Sequence, residues 1–112
     1  MSYYIDSDKF MDWVMELVMN VEASPYTDKK ISKNVWIRTF DPSITVSEEY
    51  VWHRDKKDRV VTVIDGIGWK FQFDNEIPKR INKNETIYIP REIYHRILVG
   101  KTPLKLRIEE VE

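Results

Sequence analysis

The chain has 112 residues, of which 42% are hydrophobic and 33% charged, with a formal net charge of −1 and no cysteine. This length predicts one domain with a single modest core, and the balanced charge gives no general attraction for nucleic acid or an anionic membrane surface. The lack of cysteine excludes disulfides and thiolate ligands, so any metal must rest on histidine and carboxylate. No apolar run reaches the length of a membrane span and no signal-peptide pattern is present, so we expect a cytoplasmic protein.

Residues 1–33 predict one amphipathic helix followed by a polar connector. Ser7 is a typical N-terminal cap, Phe10 and Val14 begin a run of apolar residues at helical spacing, and Pro25 ends it. Further apolar residues widen this face well beyond one stripe. A face of that breadth predicts packing against a sheet, with a homodimer contact as the alternative.

Residues 34–112 have an apolar pattern with a period of two, which is typical of β-strands. Turn residues, among them Asp41-Pro42 and Gly66, separate the segments. Short strands with regular punctuation predict an all-β sandwich or barrel, so the second part of the chain is expected to be a β-barrel on which the helix packs. The predicted strands span residues 35–40, 44–55, 59–65, 69–74, 86–90, 94–99 and 104–111.

Both histidines of the chain fall in this β region. His53 and Asp55 are two residues apart, so on one strand they point to the same face. Two imidazoles and one carboxylate leave coordination positions open and suit non-haem Fe(II). Two other interpretations stay open. The histidines could be hydrogen-bonded core residues, or Arg59 could pair with Asp55 and give a barrel without metal.

A first motif begins at His53. His53 and Asp55 are followed by Arg59 and then by Gly66, which starts the turn between two strands. The spacing is that of a motif with a His-x-His pair, then Glu, then Gly. In this chain Asp55 replaces the second His and Arg59 replaces the Glu.

A second motif ends at His95. Asn84 takes the place of a turn glycine, a strand follows, and Pro90 and Glu92 occupy the frame Pro-x-Gly ahead of the final histidine. Through these two motifs, residues 44–111 resemble the cupin superfamily. The resemblance implies a cupin-type double-stranded β-helix, or jelly-roll barrel.

The replacements in the first motif change the implied ligand set. With His53, Asp55 and His95 in place, the chain resembles the HxD…H triad of Fe(II)/2-oxoglutarate oxygenases. This resemblance implies a mononuclear divalent metal at these three residues, with Fe(II) favoured and Mn, Ni or Zn as alternatives. It also makes 2-oxoglutarate a candidate cosubstrate.

The partner expected from these features is a small organic acid or sugar. Arg59 is the cation best placed to bind a carboxylate, and Trp69 and Tyr88 are the aromatic residues expected to line the pocket. Glu48 and Glu49 have weak claims as general acid or base and are expected to be exposed. No catalytic residue is identified.

Three functions follow from this reading. The first is an Fe(II)-dependent oxygenase, or an isomerase that uses another divalent metal at the same ligands. The second is a non-catalytic, metal-free module that binds a small ligand. The third is a homodimeric assembly role.

Overall fold

The computed structural model describes residues 25–45 and 47–112, so the predicted N-terminal helix lies outside the described residues. The described part is built from β-strands and one turn of 3-10 helix, Glu48–Tyr50, between the second and third strands. The strands are β1 (Tyr26–Ser32), β2 (Val35–Phe40), β3 (Asp58–Asp65), β4 (Lys70–Phe73), β5 (Lys79–Arg80), β6 (Thr86–Ile89), β7 (His95–Leu98) and β8 (Leu104–Val111).

The strands form two antiparallel sheets. One has the order β1-β2-β8-β3-β6 and the other β5-β4-β7. Alternate residues of the larger sheet face the smaller one, which is the pattern expected when one face of a sheet is buried. Their apolar side chains form the core with those of the smaller sheet, so the predicted all-β barrel is confirmed. The core contains Phe40, Val61, Val63, Trp69, Phe71, Ile81, Ile89, Ile97, Leu104, Leu106 and Ile108.

Three segments differ from the sequence-based strands. Residues 26–32 were expected to be a connector, yet β1 pairs with β2 along its length. β1 is an edge strand whose side chains are largely exposed, so its sequence lacks the apolar alternation that reveals a strand. The short strand β5, Lys79–Arg80, has the same polar character.

Residues 44–55 were expected to be one strand and are not. The Ser47 hydroxyl accepts a hydrogen bond from the Glu49 backbone N–H at 3.1 Å, which favours a local turn over a sheet ladder. Of this stretch, His53 alone forms a β-bridge among the described residues, and its partner is His95. The turn and the bridge decide which side chains enter the barrel.

The barrel interior has an apolar part and a polar part. In the apolar part, Trp69 is fully buried and its indole N–H donates to the Thr102 carbonyl at 2.7 Å. The polar part begins where β2 and β3 place Trp36, Arg38 and Arg59 on the face that carries the core. No helix in residues 25–45 and 47–112 is long and apolar enough to cross a membrane.

Candidate metal centre

The two histidines lie side by side in the barrel. Each backbone N–H donates to the other residue's carbonyl, at 3.1 Å from His53 and 2.9 Å from His95. The rings are 4.4 Å apart between centroids, and the residues are 0% and 2% exposed. The Phe71 ring stacks on His95 at 5.6 Å. The bridge therefore brings together two imidazoles that are 42 positions apart in the sequence.

Both rings are held by the same kind of hydrogen bond, from Nδ1 to a backbone carbonyl two residues earlier. Nδ1 of His53 lies 2.8 Å from the Val51 carbonyl, and Nδ1 of His95 lies 2.8 Å from the Ile93 carbonyl. A carbonyl oxygen only accepts, so each Nδ1 carries the hydrogen. In the neutral imidazole this leaves a lone pair on Nε2. Such an arrangement fixes the tautomer of histidines that bind metal through Nε2.

Each Nε2 faces a carboxylate. His53 Nε2 is 2.9 Å from Oε2 of Glu49, and His95 Nε2 is 3.2 Å from Oδ2 of Asp55. Despite these short distances, His53 Nε2 and Asp55 Oδ2 are buried and make no well-directed hydrogen bond to a described residue. Atoms with lone pairs at such distances repel unless a positive centre lies between them. That centre is either a proton or a metal ion.

The donor set fits a divalent metal ion. One ligand atom each from Glu49, His53 and His95 lies within 4.8 Å of the others, and all three residues are buried. Two ligand atoms at right angles on an ion with bonds of about 2.1 Å lie about 3.0 Å apart. The distance from His53 Nε2 to Glu49 Oε2 is close to that value. This cluster could therefore hold a divalent metal.

Glu49 is the residue that the sequence interpretation missed. It was expected to be exposed, but it is 8% exposed and turned inward. A signal was present, because Glu49, Val51 and His53 alternate along the chain and share a face on a strand. In the structure these residues do not form a strand, but the 3-10 turn also places Glu49 next to His53.

Each of the two carboxylates, Glu49 and Asp55, also contacts an arginine. Arg38 binds both oxygens of Asp28, at 2.8 and 3.0 Å, and reaches Glu49 Oε1 at 3.1 Å. Arg59 contacts Asp55 Oδ1 at 3.5 Å. Each carboxylate thus has one oxygen facing an arginine and the other facing a histidine. The arginines offset the negative charge that burial makes costly.

The structure separates the predicted ligand-contacting residues. A cavity of about 30 Å³ is lined by Glu49, Arg59 and His95 together with apolar side chains. Trp69 packs in the apolar part with its N–H already bonded, away from this cavity. Tyr88 is 53% exposed and its hydroxyl binds Asp58. Of the three, the structure brings only Arg59 to the metal cluster.

The charges in the cluster shift the pKa of His53. Burial favours the neutral ring, but the Glu49 carboxylate outweighs burial and raises the pKa of His53 to about 9. Burial favours protonation of Glu49, yet His53 and Arg38 hold the pKa of that carboxyl below its usual range. For Asp55, the nearby His95 ring and the charge of Arg59 likewise outweigh burial and lower the pKa.

We expect the metal-free protein to lose stability as the pH rises from about 6.5 to 9. The folded-state pKa of His53 lies above its unfolded value, so its contribution is complete below pH 6.5 and is lost through pH 9. The loss is on the order of 3 kcal/mol, since one pKa unit corresponds to about 1.4 kcal/mol and the folded and unfolded values differ by about 2.5. Urea unfolding in the presence of a chelator, at pH 6 and pH 9.5, measures it. A Glu49→Gln variant should show a flatter dependence, and an equally steep loss in that variant would contradict this assignment.

Solved structures with a similar fold include cupin-domain proteins. A cupin 2 conserved barrel domain protein from Leptotrichia buccalis is 22% identical with a TM-score of 0.58, and the alignment covers 78% of this chain and 40% of that one. A cupin-2 domain containing protein from Shewanella frigidimarina is 16% identical with a TM-score of 0.55, and the alignment covers 90% of this chain and 99% of that one. The DMSP lyase from Ruegeria pomeroyi is 11% identical with a TM-score of 0.58, and the alignment covers 79% of this chain and 48% of that one.

These likenesses show the fold. The described chain has the cupin fold, as the two motifs predicted, and it spans less than half of the Leptotrichia and Ruegeria chains. A scan against protein-family models found no match, and a search of curated proteins found none.

Proposed function

We propose that this cupin-fold protein holds one divalent metal ion between His53, His95 and a carboxylate, next to a small organic ligand. The observation that carries the proposal is the pair of buried atoms, His53 Nε2 and Asp55 Oδ2, that face the cluster without a well-directed hydrogen bond. Leaving such an atom unpaired costs about 1–3 kcal/mol, and a bound cation would remove that cost at both.

Two carboxylates compete for the metal. The sequence motif favours Asp55, and the geometry favours Glu49, because its carboxylate lies with both imidazoles inside one 4.8 Å cluster. Asp55 Oδ2 lies 3.2 Å from His95 Nε2 and is the fourth candidate ligand. We propose His53, His95 and Glu49 as the central set, with Asp55 completing it from the side of Arg59.

The ligand types favour Fe(II), with Mn, Ni or Zn as alternatives. Two imidazoles and one or two carboxylates leave positions open, and Fe(II) in such a set supplies dioxygen activation. The chain's own residues hold the ion, keep the imidazoles in the Nδ1–H tautomer and exclude water with apolar walls that include Phe71, Ile89 and Ile97. Arg59 would bind a ligand carboxylate, and 2-oxoglutarate is the cosubstrate to be tested.

The competing function is a metal-free binding or homodimeric assembly module. It is favoured by the ion pairs of both carboxylates with arginine, which already give each of them a positive partner. In this alternative, a proton on His53 Nε2 takes the place of the metal beside Glu49.

The metal content of protein purified without added metal separates the two functions. We expect about one divalent ion per chain in the wild type, loss of that ion in Glu49→Gln, and weaker retention in Asp55→Asn. Both substitutions keep the size of the side chain and remove the charge that binds a cation. No bound ion, even after incubation with Fe(II), Mn, Ni or Zn, would contradict the proposal. Oxygen uptake with Fe(II), with and without 2-oxoglutarate, then tests the oxygenase activity.

A further inference from the structure

The polar part of the barrel contains two buried hydrogen-bond donors that a metal ion cannot satisfy. The indole Nε1–H of Trp36 and the guanidinium Nε–H of Arg59 are buried, and no described residue accepts a hydrogen bond from either. A cation can remove the cost of an unpaired lone pair, but an N–H group needs an acceptor. These two groups therefore indicate a second bound ligand, distinct from the metal.

The two donors belong to side chains in contact. The guanidinium carbon of Arg59 lies 5.4 Å from the centroid of the Trp36 ring. Trp36 on β2 is paired with Ile108 on β8, and Arg59 on β3 is paired with Glu110 on β8. The two side chains therefore come from the strands on either side of β8 and meet above it. Arg59 also lines the cavity that contains Glu49 and His95. Arg59 thus stands at the edge of the metal cluster, and Trp36 lies against Arg59.

The remaining nitrogens of Arg59 are only loosely occupied. They lie 3.5 Å from Asp55 and 3.4 Å from Glu110. Charge-assisted hydrogen bonds of good geometry are about 2.7–2.9 Å long. Arg38, in contrast, binds Asp28 at 2.8 and 3.0 Å. Arg59 keeps a buried nitrogen without an acceptor, whereas each nitrogen of Arg38 has one.

The cavity that Arg59 lines limits the size of an acceptor that reaches its guanidinium from the metal cluster. It measures about 30 Å³, and a single water molecule needs about 10–15 Å³ on this scale. The space suits a ligand with about the volume of two water molecules. A sugar or an aromatic acid is too large for it, and of 2-oxoglutarate it would admit only one terminal carboxylate group.

We propose that Trp36 Nε1–H and Arg59 Nε–H form a subsite for a small oxyanion, a carboxylate of one or two carbon atoms, beside the metal cluster. The carboxylate accepts from both donors, and the cation over the indole ring keeps them in place. The position of this ligand next to a metal rests on the proposed function, but its binding by the two donors does not.

Nuclear magnetic resonance of the ¹⁵N-labelled full chain, treated with a chelator, tests the subsite. Titration with formate is expected to shift the Trp36 indole and Arg59 Nε–H signals saturably. The Trp69 indole is the internal control, because its N–H already donates to the Thr102 carbonyl at 2.7 Å and should not shift. Formamide, a neutral molecule of the same size, and benzoate, a larger carboxylate, are expected to leave all three signals in place.

Variants assign the effect to the two side chains. Trp36→Phe and Arg59→Lys are each expected to weaken formate binding about tenfold or more, the loss of one hydrogen bond to a charged group. Arg107→Lys, at an arginine that binds Glu109 on the protein surface, should bind formate like the wild type. Formate shifts that do not saturate, equal shifts with formamide, or binding of benzoate would overturn the proposal, and the first two would assign the donors to water.

The outcome is separable from that of the proposed function. A wild type that binds metal but not formate refutes the subsite alone. A wild type that binds formate but no metal refutes the metal centre and leaves the subsite standing.

Discussion

His95→Gln is expected to lower the affinity for a divalent metal by more than about a hundredfold. Substitutions that only disturb the hydrogen-bond partners of metal ligands already cost about 10–100-fold, and this one removes a ligand. Glutamine cannot place a nitrogen lone pair where His95 Nε2 faces Asp55 at 3.2 Å. The measurement is competition against a chromophoric chelator at constant pH, with Mn or Zn as the probe.

Phe71→Leu is the matched control for this loss. It removes the ring that stacks on His95 at 5.6 Å but leaves every proposed ligand unchanged. Metal affinity should stay within about tenfold of the wild type, since only a neighbour of a ligand is altered. Equal affinity of the wild type and His95→Gln would show that any bound metal lies elsewhere in the chain.

Arg38→Met is expected to destabilise the metal-free protein by about 3–5 kcal/mol. Arg38 is 7% exposed, and its guanidinium offsets the charge of Glu49 inside the barrel. It also covers the Tyr26 ring at 3.9 Å. Methionine has a similar length but no charge. Among the described residues, the substitution leaves the buried carboxylate in contact with His53, and the charge of Arg59 acts on it from farther away. Urea unfolding at pH 6 measures the change.

Two further variants show whether charge is the cause. Arg107→Met removes an exposed arginine and is expected to change stability by less than about 0.5 kcal/mol. In the double variant Arg38→Met with Glu49→Gln, the buried carboxylate is removed and the Asp28 charge that loses its arginine is exposed, so we expect part of the stability to return. A double variant as unstable as the sum of its parts would mean that packing, and not charge, explains the loss.

The homodimer contact, given as the alternative use of the N-terminal face, stays a prediction, as does the helix itself. Both fall in residues 1–24, outside the described part of the chain. The mass of the protein in solution tests the dimer directly.

The sequence determined the barrel and the nearness of the histidines. Apolar alternation predicts strands wherever one face is buried, which is why β2, β3, β4, β6, β7 and β8 were predicted close to their observed bounds. The polar edge strand β1 was missed, because pairing with β2 holds it in place and its own residues carry no pattern. His53 and His95 were paired correctly because their spacing follows two known motifs.

Only the tertiary structure decided which groups surround those histidines. Glu49 enters the barrel because a local turn at Ser47 replaces the expected strand. Trp69 was assigned to the pocket, but burial and the bond to Thr102 place it in the core. Trp36 and Arg59 come into contact only when β2 and β3 lie on either side of β8. The physical reason is the same in each case: alternation along a strand selects a face, whereas contact between side chains depends on which strands and turns pack together.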